Sequence, residues 1–204
     1  MKKLISLIFI VTAFTMASQP KKVAKMAPIT SPGYYLSSKG DTVKGEVRTN
    51  PDDELDFHKG FSFKPAKGGK LVEIDIKKAK AYAFENKQFE KINNNGDDVY
   101  AEVLSKGRLN FYEIRFMGKI DGYEAIESSY FIQDNNAEGD DLKLREPKKL
   151  NDKFNYKFFK KGLAPYMKDQ KIIWDNLNEY PFNKQAVVEA INEFNKLYLI
   201  AKPE

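Results

Sequence analysis

Leu109–Met117 (LNFYEIRFM) and Tyr123–Gln133 (YEAIESSYFIQ), joined by Gly118-Lys119-Ile120-Asp121-Gly122, decide the fold of this chain. Both arms are rich in β-branched and aromatic residues, and a turn across Gly118–Gly122 makes them a long antiparallel hairpin. Working backwards, Val99–Leu104 pairs with the first arm across Ser105-Lys106-Gly107. Asn93-Asn94-Asn95-Gly96-Asp97-Asp98 before it is turn chemistry throughout, and Gln88–Ile92 supplies another short arm.

The same cadence extends towards the N-terminus. Gly33-Tyr34-Tyr35-Leu36 and Thr42–Thr49 (TVKGEVRT) flank Ser38-Lys39-Gly40-Asp41, where Gly40 takes the bend. Val43 and Val47 share one face with Gly45, while Lys44, Glu46 and Arg48 take the other. Asn50–Gly69 reads as a polar excursion carrying DDELD, His58, Phe61 and Phe63. Leu71–Ile76 and Ala81–Phe84 follow as strands, and Leu142-Lys143-Leu144 is a further short one.

After Pro147 the apolar period changes from two to 3.6. Leu150, Phe154, Phe158 and Phe159 form one helical stripe ended by Gly162. Ile172, Ile173 and Leu177 mark a second helix capped by Asp169. Asn183 then caps a third, whose apolar face is Val187, Ala190, Ile191, Phe194, Leu197 and Tyr198. The expected class is α+β: an antiparallel sheet or open barrel of about seven or eight strands, then about three helices on one face or end.

The N-terminus predicts where the protein works. Met1-Lys2-Lys3 is cationic, Leu4–Met16 (LISLIFIVTAFTM) carries no charge, and Thr15-Met16-Ala17 offers small residues at a peptidase's reading positions. Residues 1–17 therefore read as a secretory signal peptide. The run falls short of the about 20 apolar residues a membrane span needs, so no stable transmembrane anchor is expected after processing. Residues 18–32, with their prolines and lysines, read as a flexible leader, and 33–204 as a single domain, strand-rich over 33–146 and helical over 147–204. The expected location is periplasmic or extracellular.

Composition narrows the chemistry. The chain has no cysteine, which excludes disulfides, thiol nucleophiles, thiolate metal sites and the usual bacterial lipid attachment. Its 15 Phe and 11 Tyr are enough to build an unstapled core. Without Lys2 and Lys3 the balance is 32 basic against 29 acidic residues, interspersed along the chain. Such mixed charge reads as a solubilising surface and not as a nucleic-acid footprint.

No catalytic, cofactor-binding or metal-binding residue is assigned from the sequence. His58, the single histidine, reads as a surface residue beside DDELD with a slightly raised proton affinity. One histidine and no cysteine cannot complete a tetrahedral zinc site. Asp134-x-Asn136-x-Glu138-Gly139 opens like a calcium loop, but Arg145 stands where its closing glutamate belongs. Phosphate-loop, dinucleotide and nucleophile-elbow signatures are missing.

Gly33-Tyr34-Tyr35-Leu36 with Lys39-Gly40-Asp41-Thr42-Val43-Lys44-Gly45, Leu104–Tyr112 (LSKGRLNFY), and the late Tyr180 and Phe194-Asn195-Lys196 together resemble small exported proteins of Gram-negative bacteria. Those proteins carry a G-Y-x-G-D-T-(V/I)-K-G hairpin and a helical C-terminus. The resemblance implies location and architecture and brings no catalytic residue with it.

Three functions follow as expectations. The leading one is a non-enzymatic envelope protein that binds another envelope protein or polymer. The second is a small apolar-ligand carrier with a partly closed barrel, motivated by the density of aromatic residues on strands. The third is a hydrolase using Asp52, Asp53 or Glu54 near His58.

Overall fold

The computed structural model describes residues 27–50, 53–135, 146–151, 156–177 and 182–200. Residues 1–17, read as a signal peptide, most of the segment read as a leader, Asp52, Leu142–Leu144, Phe154, Tyr180 and the calcium-like loop beyond Asn135 lie outside them. Chain order is β1 (Ile29–Ser37), β2 (Thr42–Thr49), a 3₁₀ helix (Glu54–His58), β3 (Gly60–Pro65), β4 (Val72–Asp75), β5 (Ala79–Phe84), β6 (Lys87–Asn94) and β7 (Asp97–Ser105). Then come β8 (Leu109–Ile120), β9 (Tyr123–Asp134), β10 (Lys148–Asn151), α1 (Tyr156–Met167), α2 (Lys171–Asn176) and α3 (Lys184–Ile200). The strands form one open antiparallel sheet in the order β10-β9-β8-β7-β6-β5-β1-β2-β3-β4. The class is α+β.

Ten strands replace the expected seven or eight, and two of them were hidden in the sequence for physical reasons. β3 sits inside the stretch read as a polar excursion; Phe61 and Phe63 are buried and alternate with Ser62 and Lys64, a half-solvated strand masked by the acidic cluster before it. β10 carries Leu150, which was placed on the first helix. The helix begins at Tyr156 and runs through Gly162 to Met167. Gly162 is no terminator: a Cβ there would collide with the Leu150 side chain, so the glycine lets α1 lie close against β10. Asp169 is not the cap of α2 either, since Gln170 occupies that position without a side-chain bond. Asn183 does cap α3, its Oδ1 accepting from the Ala186 N–H at 2.9 Å. β1 starts at Ile29, four residues inside the segment read as leader, because Ile29–Pro32 pair with Glu46–Thr49. The reversal between β8 and β9 is tighter than five residues. Asp121 and Gly122 make it alone with φ of 52° and 86°, and Gly118 stays in the strand.

Aromatic packing curls the sheet. In a flat sheet β3 and β5 would stand three spacings, about 14 Å, apart, yet the Phe61 and Tyr82 rings stack with centroids at 4.2 Å. Phe61 also meets Tyr100 of β7 at 6.0 Å. Phe57, Phe63, Phe84 and Phe89 belong to the same buried cluster. Beyond it, Leu109, Phe111, Tyr130 and Ile132 of β8 and β9 receive Phe159, Leu163, Val187, Ile191 and Phe194 of the helices. Asn195 fastens α3 to the sheet by accepting from the Leu109 N–H at 2.8 Å and donating to the Leu109 carbonyl at 2.9 Å.

Gly33 and Gly45 face each other across β1 and β2. A Cβ on Gly45 would strike the Lys64 carbonyl and the Phe63 ring. Because the first obstacle is backbone, Gly45→Ala is expected to cost at least about 2 kcal/mol, read as a lowered urea midpoint at unchanged m-value.

Candidate functional site

His58, at the end of the 3₁₀ helix, is 5% exposed, which corrects its reading as a surface residue. Its Nε2 accepts the Arg115 N–H at 3.0 Å, so the neutral ring carries its proton on Nδ1 and donates to the Tyr100 carbonyl at 2.6 Å. Its proton affinity falls instead of rising. Burial holds the pKa below the ordinary 6.5, the Arg115 guanidinium adds to this, and the opposing Tyr100 carbonyl and Glu102 and Glu113 carboxylates do not reverse it.

The imidazole sits where two strands part. β7 and β8 pair through Glu102↔Glu113 and Val103↔Tyr112. Two residues further along that register Tyr100 would oppose Arg115, but His58 stands between them and bonds to both. Beyond this wedge β8 pairs, among the described residues, with β9 alone, so Arg115–Ile120 and Tyr123–Ser128 form a two-stranded arm. Met117 (53%), Ile120 (45%), Tyr123 (78%) and Ile126 (55%) on the arm are exposed. They are four of the eleven large apolar side chains that the described residues expose.

At the root of the arm is a cleft of about 540 Å³. Its walls are Leu55, Val99, Ile114, Phe116 and Met117, and its charged residues are Lys59, Arg115 and Lys149, with no carboxylate in the lining. Arg115 also bonds Glu102 at 3.0 Å. The Asn94 side-chain oxygen, buried at the cleft, has no hydrogen-bond partner among the described residues.

Behind the arm Glu113 is 2% exposed and accepts from Ser128 Oγ at 2.6 Å, Lys184 Nζ at 2.9 Å and Tyr130 OH at 3.2 Å. Burial raises its pKa, but the Ser128 and Lys184 hydrogen bonds and the Lys184 and Arg115 charges outweigh that and leave it lowered. Burial and the Glu113 charge push the Tyr130 phenol up to about 12. This buried carboxylate ties the first turn of α3 to the base of the arm.

Among the expected hydrolase residues, Asp53 does not turn to His58. Asp53 caps the 3₁₀ helix, accepting from the Leu55 N–H at 3.2 Å, and both nitrogens of His58 are taken by backbone, leaving none for proton transfer. Asp53 instead lines a second surface cleft of about 950 Å³ with Arg48, Asp56, Glu73 and Asp75. Among the described residues no three potential ligands are grouped to hold a metal ion.

Sequence reading missed the arm, although a signal existed. Val99–Leu104 is six residues long and cannot pair with all of the next hairpin, so an overhang was implicit. It missed Glu113 because an isolated acid on an alternating strand looks solvent-facing. No family model, no curated protein and no solved structure matches this chain.

Proposed function

We propose that this is an exported cell-envelope protein that does no chemistry of its own and binds another protein through the β8–β9 arm. The supporting observation is the arm itself, four exposed large apolar side chains on a hairpin whose outer edges pair with no described residue. Solvent-exposed apolar groups and open strand edges carry an aggregation risk, and function is the usual reason a chain keeps them. Export rests on the charge and hydropathy pattern of residues 1–17. Among the described residues no helix is long and apolar enough to cross a membrane.

A photo-crosslinking amino acid placed at Tyr123 in intact cells is expected to join the protein to one defined partner. The same group at Lys67, on the β3–β4 turn, should give only background. Equal, diffuse labelling from both positions would remove the arm as a docking surface.

A further inference from the structure

The outer edge of β8 and the cleft at its root complement each other across two copies of this chain. Asp121-Gly122 closes the hairpin on the Ile120↔Tyr123 pair, and Arg115 sends its N–H to His58, away from β9. Alternation then puts the N–H and carbonyl of Met117 and Lys119 on the outer edge of β8, where no described residue pairs with them. Phe116, Ile120 and Tyr123 share one face of the arm. Val99 and Ile114, two walls of the cleft of about 540 Å³, lie on that same face.

We propose that the arm binds the arm of a second copy of this chain, the two β8 edges pairing antiparallel about a two-fold axis at Gly118. Met117 exchanges hydrogen bonds with the second copy's Lys119, Lys119 does the same with its Met117, and Phe116 stands opposite its Ile120. That last pair lies on the face of the cleft, so each arm tip delivers Ile120 to the apolar walls Leu55, Val99 and Phe116 of the other copy. Ile120 is 45% exposed in the single chain. Asp121, at the tip, falls opposite Arg115 and so comes beside His58 and its neighbour Lys59, which lines the cleft. Asp121 and Lys59 are both exposed, and neither is ion-paired among the described residues. Tip and cleft belong to one patch, which is what a two-fold interface requires.

Edge chemistry fixes the register. Only odd-numbered residues carry outward backbone groups here, so Met117 and Lys119 must meet odd-numbered partners. A slip of two residues in one direction sets Lys119 against the second copy's Lys119, like charges directly opposed. The same slip in the other direction sets Lys119 against Arg115, whose outward N–H is already held by His58. Resting on the arm as a protein-binding surface, this pairing names what the surface takes.

The chain has no cysteine, so introduced cysteines report the pairing. A mixture of Phe116→Cys and Ile120→Cys, oxidised by diamide, is expected to give a disulfide-linked dimer. Either variant alone should give none above background, because only the mixed pair is directly opposed, with Cα atoms about 4.5 Å apart. In the unaltered protein, hydrogen exchange at the Met117 and Lys119 amides should slow at least about tenfold as concentration rises from micromolar to millimolar. The Glu124 and Ile126 amides, on the outer edge of β9, should keep their rates. Lys59→Glu should weaken the dimer at least about threefold in sedimentation equilibrium, and adding Asp121→Asn should restore part of the loss by removing the like charge.

A monomer at about 1 mM, with unslowed Met117 and Lys119 amides, overturns the proposal. A dimer that protects the β9 amides instead, or whose disulfide forms as readily from either cysteine alone, also overturns it. The Tyr123 crosslink separates this pairing from the wider reading of the arm. A product of twice the chain's mass supports the pairing. A specific crosslink to a different protein, together with a monomer in solution, leaves the arm as the docking surface and rejects only self-association.

Discussion

His58→Ala is expected to lower folding stability by about 3–5 kcal/mol. The substitution strands two buried backbone groups, the Tyr100 carbonyl and the Arg115 N–H, each costing about 1–3 kcal/mol when left unpaired. It also leaves a ring-sized void beside Phe89, whose centroid lies 6.0 Å from the imidazole. Chemical denaturation measures the loss, and hydrogen exchange should show Arg115 and Tyr100 opening first. His58→Gln, with one donor and one acceptor on a similar reach, should recover part of the stability. If alanine costs less than about 1 kcal/mol, the imidazole is not what holds the two strands in this arrangement.

The same residue makes stability depend on pH in one direction. The unfolded imidazole protonates near its ordinary 6.5, whereas the folded one resists protonation to a lower pH. The unfolded state therefore binds the extra proton first. The contribution is complete above about pH 6.5 and is lost as pH falls through the folded value, by about 1.4 kcal/mol per unit of difference. Glu113 acts in the same sense only below its ordinary 4.5, so the two windows begin about two units apart. Urea midpoints of the native protein and of His58→Ala should converge as the solution is acidified from neutral, since the variant has no imidazole to lose.

Phe61→Ala is expected to cost about 3–5 kcal/mol, the range for deleting a buried ring. Phe61 lies 5% exposed at the meeting point of the curled sheet, stacked on Tyr82 and within ring contact of Tyr35, Phe63 and Tyr100. These residues belong to β1, β3, β5 and β7, so one side chain connects strands that a flat sheet would hold far apart. Phe61→Leu keeps most of the volume and should cost under about 1.5 kcal/mol. Urea denaturation followed by near-ultraviolet circular dichroism reads both variants. A small loss with alanine, and an unchanged aromatic spectrum, would show that the curl is held elsewhere.

The folding pattern was legible wherever it is local. Gly40, Asn95-Gly96 and Asp121-Gly122 turn the chain with positive φ in stretches the sequence marks as turns. Asn183 caps α3, and Val187, Ala190, Ile191 and Phe194 form its buried face as the 3.6-residue spacing requires. Local signals misled where two of them competed. DDELD made β3 look like part of a loop. Leu150 fell on the helical period by coincidence, and Gly162 resembled a terminator because helix ends and close packing both favour a residue without Cβ.

The site was the least legible part, and the reason is distance along the chain. Polarity and period along the strands settled an α+β chain, and the cysteine count left its core to hold without disulfides. Nothing near His58 shows that its ring will be dry, for its two partners lie 42 and 57 residues away. Exposure, tautomer and pKa all depend on those contacts, as does the gap between β7 and β8 that frees the arm. Folding places the histidine between two strands, and its neutral ring can bond both backbones there only because water has been excluded.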